Sequence, residues 1–312
     1  VPNFVSRPRF VLDSAPLRRD SVSKEDFWVE GSALSVRRDR KETPIHKEFS
    51  ASTIQGENMK TLELQKGIIY GPINSRRLGR SLGINLLPTA FKLCSFNCVY
   101  CQYGWTYTHT DDASGYADDL PTTDDLEEAL EAWLKKSQNL SYITFSGNGE
   151  PCLHPQFEKM VEIASRLRNR YVPKARLAVL SNSTCLGRRD VVEALKQLDE
   201  RIMKLDCGSE ETFRNVNRPH KNVKYEEVIQ GLKNLDNIII QSVFMDGETN
   251  NIENEEIEKW IEQLNYIRPT EVQIYSIDRP SADQALRLVE KGKLEEIAQK
   301  AAKVLGIPVK AF

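Results

Sequence analysis

From Thr61 onward the apolar residues fall into two alternating rhythms. Residues 81–87, 140–145, 176–180, 202–205, 238–244 and 271–277 are short apolar runs bounded by turn residues, which predicts buried strands. Between them, segments 122–136, 157–171, 190–198, 225–235, 254–267 and 294–305 space their apolar residues three and four apart. In the first of these, Leu126, Ala129, Leu130, Trp133 and Leu134 share one face behind Thr and Asp caps, which predicts an amphipathic helix. Ahead of the first strand, residues 71–79 read as a polar, glycine-punctuated loop. Strand then helix, six times over, predicts an α/β fold with a parallel sheet and right-handed crossovers. Six units are two short of an eightfold barrel. Periodicity alone leaves an open barrel and a flat doubly wound sheet both standing. In either, chemistry gathers at the C-terminal ends of the strands.

Residues 1–58 follow neither rhythm. They mix Arg18-Arg19 and Arg37-Arg38 with Ser, Asp and Glu, and their apolar residues (Phe4, Phe10, Leu12, Phe27, Trp28) are too scattered to enclose a core. The expectation is a disordered or loosely attached extension before a core domain at 59–312. A basic arm over a substrate and a natural start at Met59 are the other readings.

Composition narrows the class. Over 312 residues, 40% hydrophobic and 28% charged content is ordinary for a globular enzyme. No apolar run approaches the ~18 residues of a membrane span, and the first residues lack a signal-peptide core. A net charge of −2 gives no global attraction to nucleic acid, so an RNA-binding module without chemistry is disfavoured. Six cysteines, three of them within eight residues, do not form a secreted disulfide framework. A reducing, cytoplasmic setting is expected.

Those three, Cys94, Cys98 and Cys101, are spaced C-x3-C-x2-C directly after the first strand. A structural zinc site wants four ligands, and only His109 lies close enough in sequence to complete one. Three thiolates on an Fe–S cubane instead leave one iron open for chemistry. Cys152, Cys185 and Cys207 fall just past successive strand ends, where a second cluster, a reactive thiol or plain buried cysteines are the alternatives.

The strand ends carry further candidates. After the second strand, Gly147, Asn148, Gly149 and Glu150 combine flexible backbone with a carboxylate suited to an ammonium group. Ser181, Asn182 and Ser183 end the third with short polar side chains. Lys204 and Asp206, two apart on the fourth, form an ion pair or a substrate handle. Gln241 and Ser242 interrupt the apolar fifth strand, and Tyr275 and Arg279 sit at the sixth. Arg76 and Arg77, beside the first strand, suit phosphate or carboxylate, or equally salt bridges with surface carboxylates. Arg218 and His220 stand in the loop before the fourth helix.

The cysteine spacing, with Tyr100 just before the last cysteine, resembles the radical S-adenosylmethionine (SAM) family. The resemblance runs from about Gly67 to the C-terminus. It favours a partial (β/α)6 barrel. It implies a 4Fe–4S cluster on Cys94, Cys98 and Cys101 whose unique iron chelates the amino and carboxylate groups of SAM. It also implies SAM contacts from Gly147, Asn148, Gly149 and Glu150, from Ser181 and Asn182, and from Gln241 and Tyr275 near the adenine. An external one-electron reductant of flavodoxin or ferredoxin type is implied as partner. The Gly71–Gly79 run, Gln102 after the cysteines and Glu271–Tyr275 look similar to bacterial and archaeal Fe–S oxidoreductases related to the wyosine-forming tRNA enzyme. That enzyme uses a further N-terminal cysteine cluster, whereas no cysteine here precedes Cys94, and the chain stops soon after its sixth unit.

The expected function is therefore radical SAM chemistry: reductive cleavage of SAM, then hydrogen abstraction from a substrate, with Lys204 and Asp206 as catalytic candidates. A tRNA base or nucleotide leads a peptide or small molecule as substrate. A non-catalytic Fe–S or zinc protein is the rival class.

Overall fold

The computed structural model describes residues 60–136 and 139–312. The extension anticipated over residues 1–58 lies outside the described residues. An antiparallel hairpin comes first, β1 (Ile69–Ser75) with β2 (Gly79–Ile84). A short ribbon of β3 (Leu93–Cys94) and β4 (Thr108–His109) follows, and then α1 (Thr123–Leu134). From there strands and helices alternate: β5 (Tyr142–Phe145), α2 (Phe157–Tyr171), β6 (Arg176–Ser181), α3 (Arg189–Lys196) and β7 (Glu200–Lys204). After two helices, α4 (Glu210–Val216) and α5 (Tyr225–Lys233), come β8 (Ile238–Phe244), α6 (Asn254–Ile267), β9 (Glu271–Ser276), α7 (Lys291–Leu305) and β10 (Val309–Ala311).

The main sheet has the order β1-β2-β5-β6-β7-β8-β9-β10, parallel from β2 onward. The six strands expected from the apolar runs are β2 and β5 to β9. Register sorts the two faces, because paired residues of a parallel sheet point the same way. Met203, Ile240 and Val272 are paired in one row and fully buried against the helices. Lys204, Gln241 and Gln273 form the next row, on the opposite, polar face. The helices bury the stripe that their spacing predicts, as with Leu126, Leu130 and Leu134 in α1. A capping box starts that helix: Thr122 accepts from the Asp125 N–H, and the Asp125 carboxylate accepts from the Thr122 N–H.

The sheet is open but curled. Arg77, in the β1–β2 turn, lies with its guanidinium 4.1 Å from the centre of the Tyr275 ring on β9. Arg76 pairs with Asp278, just beyond the same strand. These side chains meet although five strands separate β1 from β9 in the order. The arrangement is a partial (β/α)6 barrel whose seam is bridged by side chains.

Besides the short β3–β4 ribbon, three elements depart from expectation. Residues 71–79, read as a loop, contain most of β1. Gly71 and Pro72 sit where its register shifts between Tyr70 and Ile73, and an edge strand tolerates a proline that lacks a donor. The seven-residue α4 was not anticipated, nor was the edge strand β10. Ser209 caps α4 by accepting from the Thr212 N–H. The buried Glu256 of α6 then accepts from the Gly208 and Ser209 N–H groups at 2.6 and 3.1 Å and from Ser209 Oγ at 2.7 Å. Glu256→Ala is expected to lower unfolding stability by about 2–3 kcal/mol, the scale of hydrogen bonds to a charged group, as a shifted midpoint in urea.

Candidate active site

The cysteine loop is fixed from two sides. Behind it, Leu93 N–H donates to Asn148 O and the Glu150 N–H to Leu93 O. On the other side the segment following α4 braces it. Asn97 N–H donates to Asn217 O, Val99 N–H to Val216 O, and His220 N–H to Ser95 O. Each thiol of the motif also meets a nitrogen donor from a different part of the chain. Asn182 Nδ2 lies 3.6 Å from Cys94 Sγ, Asn217 Nδ2 3.6 Å from Cys98 Sγ, and Lys92 Nζ 3.0 Å from Cys101 Sγ.

This donor set suits thiolates. Burial pushes the Cys94 thiol upward, and it pushes Cys98 up to about 11 with help from the nearby Asp206 charge. Loading with metal therefore displaces protons. Burial pulls the Lys92 ammonium down, but the motif's thiols, Cys101 foremost, outweigh it and leave the value raised. His109, which a four-ligand zinc site required, turns Nε2 toward Ser95 O at 3.0 Å and its ring toward His220. Among the described residues no three His, Cys, Asp or Glu side chains close on a point as the ligands of one ion do. Thiolates of a cubane bind separate irons and stand farther apart. Three cysteines with donors and no fourth ligand fit a 4Fe–4S cluster better than a single zinc.

Cys152, Cys185 and Cys207 are buried thiols, all shifted upward by burial. Cys207 donates to Asn217 Oδ1. As buried thiols they have the setting of small core residues.

The run after β5 has a different character from the one its glycines suggest. Gly147 and Gly149 hold φ of 137° and 142°. A Cβ on Gly147 would press on the Asn85 side chain, and one on Gly149 would overlap the carbonyl oxygen of Leu93. The close approach is thus to the protein itself. Asn148, a cofactor candidate from the sequence, is fully buried. Its Nδ2 donates to Gln65 O and Pro88 O, and its Oδ1 accepts from Gln65 N–H. Both amide hydrogens are spent on backbone, so the side chain acts as a bracket for the loop.

Glu150 is 1% exposed. Its Oε1 accepts from Cys152 N–H and Ser181 Oγ, and its Oε2 from Asn182 N–H at 2.6 Å. Ser181 and Asn182 are therefore held by Glu150, and Asn182 reaches on to Cys94. Burial raises the carboxyl above its usual range against those hydrogen bonds, and no cation counts among its main influences. A buried carboxylate with an acceptor site to spare on Oε2 has use for a cationic group.

Lys204 and Asp206 form a buried ion pair, Nζ to Oδ1 at 2.9 Å. Asp206 also accepts from Val243 N–H, Asn217 Nδ2 and the Tyr100 hydroxyl. Burial pulls the Lys204 ammonium down, while Asp206 and then Tyr275 more than offset this and leave it raised. Asn217 thereby links the ion pair to Cys98. Sequence reading singled out Asn217's neighbours instead. Arg218 lies over the Trp105 ring at 4.8 Å, and His220 Nδ1 stands 2.8 Å from Asp111. Lys92, two residues before Cys94, was overlooked too, although a lysine beside a thiolate motif is a legible signal.

A cavity of about 590 Å3 opens at the strand ends. Cys101, Tyr100, Gln241 and Tyr275 line it, as do Arg76, Arg77 and Arg279. Gln241 donates to Gln273 Oε1 at 3.2 Å. The cysteine loop, the fifth and sixth expected strands and the β1–β2 turn thus share one space. Among the described residues, no helix is long and apolar enough to cross a membrane.

Comparisons with known proteins agree with this geometry. A Brachyspira hyodysenteriae protein named GTPase Obg is 28% identical over 255 residues, 80% of this chain and 36% of that one. A UPF0026 protein of Methanocaldococcus jannaschii is 31% identical over 226 residues, 70% of this chain and 66% of that one. The chain thus spans about a third of the first relative and about two thirds of the second. Among solved structures, a radical SAM methyltransferase from Sphaerobacter thermophilus superposes with a TM-score of 0.52 at 15% identity, covering 74% of this chain and 65% of that one. That likeness speaks for the fold. The sequence profile of the radical SAM superfamily matches residues 90–264, from just before the cysteines to within α6. On that match, which takes in more than half of its length, the chain belongs to the radical SAM superfamily, whose cofactors are a 4Fe–4S cluster and SAM.

Proposed function

We propose that this enzyme abstracts a hydrogen atom from a nucleotide, with a tRNA base as the leading target. The observation that carries the reading is the cavity beside Cys101, where three guanidinium groups face a single lining carboxylate, Asp278. Such a surface favours an anionic, phosphate-bearing substrate over a neutral one. Kinship with the wyosine-forming tRNA enzyme, suggested by the sequence motifs, points the same way.

Cys94, Cys98 and Cys101 would hold the cluster, with Asn182, Asn217 and Lys92 supplying N–H groups to their sulfurs. When bound and reduced by a flavodoxin- or ferredoxin-like partner, the cluster supplies the electron that cleaves SAM to methionine and a 5′-deoxyadenosyl radical, which takes a hydrogen atom from the substrate. Glu150 offers its spare acceptor to the SAM ammonium, while Ser181 and Asn182 keep the carboxylate oriented. Gln241 and Tyr275 line the same cavity and present polar atoms to the adenosyl end. Lys204, held by Asp206, reaches that wall through the Tyr275 hydroxyl at 3.4 Å and could pass a proton there. The barrel walls exclude water from the reacting atoms.

The test is anaerobic. Protein reconstituted with iron and sulfide is given dithionite and SAM, and 5′-deoxyadenosine is measured with and without unmodified tRNA. Iron-free protein is expected to make none, and tRNA is expected to raise formation several-fold over SAM alone. Stimulation by a peptide pool and not by tRNA or nucleotides would move the reading to peptide modification. No 5′-deoxyadenosine from four-iron protein with any of these would remove it.

A further inference from the structure

Arg77 is a charge of the cavity for which the described residues show no ion pair, and unlike the exposed Arg279 it is partly buried. Arg76, its neighbour, is paired with Asp278, and Lys204 is paired with Asp206. The Arg77 guanidinium lies over the Tyr275 ring, and its Nη1 is buried with no hydrogen-bond partner among the described residues. An unpaired buried donor on a cation is costly, so the arrangement persists at a site only where something else repays it. Stacking on Tyr275 fixes the guanidinium plane. A fixed plane with a free N–H edge is the geometry that receives two oxygens of a carboxylate or phosphate.

We propose that Arg77 binds an oxyanion of the substrate, a phosphate or carboxylate group. The inference rests on the radical SAM reading above. The other oxyanion source is the carboxylate of SAM, and its own chemistry argues against it. In SAM the amino and carboxylate groups share one carbon, and the carboxylate that suits the amino group, Glu150, does not line the cavity that Arg77 lines. Arg279, exposed at the cavity rim, adds a second guanidinium to the same wall. The anionic group at Arg77 therefore belongs to the substrate, which shares the cavity with the adenosyl end of SAM.

Titration calorimetry at constant ionic strength tests this, with cluster-loaded wild type, Arg77→Gln and Arg77→Lys each titrated with inorganic phosphate, acetate and SAM. Wild type is expected to bind one of the two anions, phosphate pointing to a phosphoester substrate and acetate to a carboxylate. Arg77→Gln should weaken that binding at least tenfold and Arg77→Lys less, with SAM affinity changing under twofold. Binding of neither anion by wild type, or equal anion binding by Arg77→Gln, overturns the proposal. So does a tenfold loss of SAM affinity in Arg77→Gln, which assigns the guanidinium to the SAM carboxylate. Arg77-dependent anion binding by protein that forms no 5′-deoxyadenosine would sink the radical reading and leave the oxyanion site intact.

Discussion

Asp206→Ala protein is expected to unfold about 3–5 kcal/mol more easily than wild type, the cost of leaving a buried charge without its partner. Asp206 is 2% exposed and meets four donors: Lys204, Asn217, Tyr100 and the Val243 N–H. Its removal strands the Lys204 ammonium with a tyrosine hydroxyl at 3.4 Å and two aromatic faces at 5.1 Å. It also frees the Val243 backbone N–H near the C-terminal end of β8. Urea denaturation at pH 7 reads the loss directly. The paired substitution Lys204→Met with Asp206→Leu is expected to recover only the ammonium's share, because the apolar pair needs no charge compensation but leaves the Val243 N–H, Asn217 and Tyr100 without their acceptor. The pH dependence has a definite sign. Lys204 is raised in the folded state, so its share of stability is complete below the ordinary lysine value of about 10.4. It drains away as pH climbs through the folded value. In wild type the pair's contribution should therefore hold through neutral pH and be lost in strong alkali, read as the urea midpoint against pH. A variant as stable as wild type at pH 7 would show that the pair contributes nothing.

Gly149→Ala is expected to spare most of the helices and strands yet abolish cluster loading. Its backbone holds φ of 142°, and any Cβ there would overlap the Leu93 carbonyl oxygen, backbone that cannot swing aside. Leu93 immediately precedes Cys94, and its carbonyl accepts from the Glu150 N–H. Relieving the overlap moves the first cysteine and the buried carboxylate together. Iron per chain after anaerobic reconstitution should fall from near four to below one. Circular dichroism should retain the wild-type helical signal. Full iron content in Gly149→Ala would mean that the loop adapts, contrary to the rigid bracket that Asn148 and Asn85 build around it.

The contrast between Gly149 and Asn148 shows where sequence reading stops. Apolar periodicity located the six parallel strands and the helices that cover them, since burial on a pleated or helical surface leaves a mark at fixed spacing. β1 left no such mark: a glycine and a proline break its alternation, and an edge strand needs only one ladder. α4 is too short to show a helical period. At the site, residue type announced the thiols, the carboxylate and the lysine–aspartate pair. It did not announce what they touch. The glycines look like room for a ligand, but they are room for Asn85 and Leu93. Asn217 looks like a linker beside an arginine and a histidine, yet its amide joins Cys98, Asp206 and Cys207. Such roles depend on contacts between separate segments, Asn217 and Cys98 being 119 residues apart, which no local pattern records.

The three nitrogen donors at the cysteines have an electrical consequence. Hydrogen bonds to the sulfurs of an Fe–S centre are among the levers that set its reduction potential. Here the levers are mounted on the end of β6, on the turn after α4 and just ahead of the motif itself. Two are neutral amides and one is a cation, so they favour the electron-rich state to unequal degrees. The redox set-point of a cluster held there would therefore be distributed over the barrel rather than lodged in the cysteine loop.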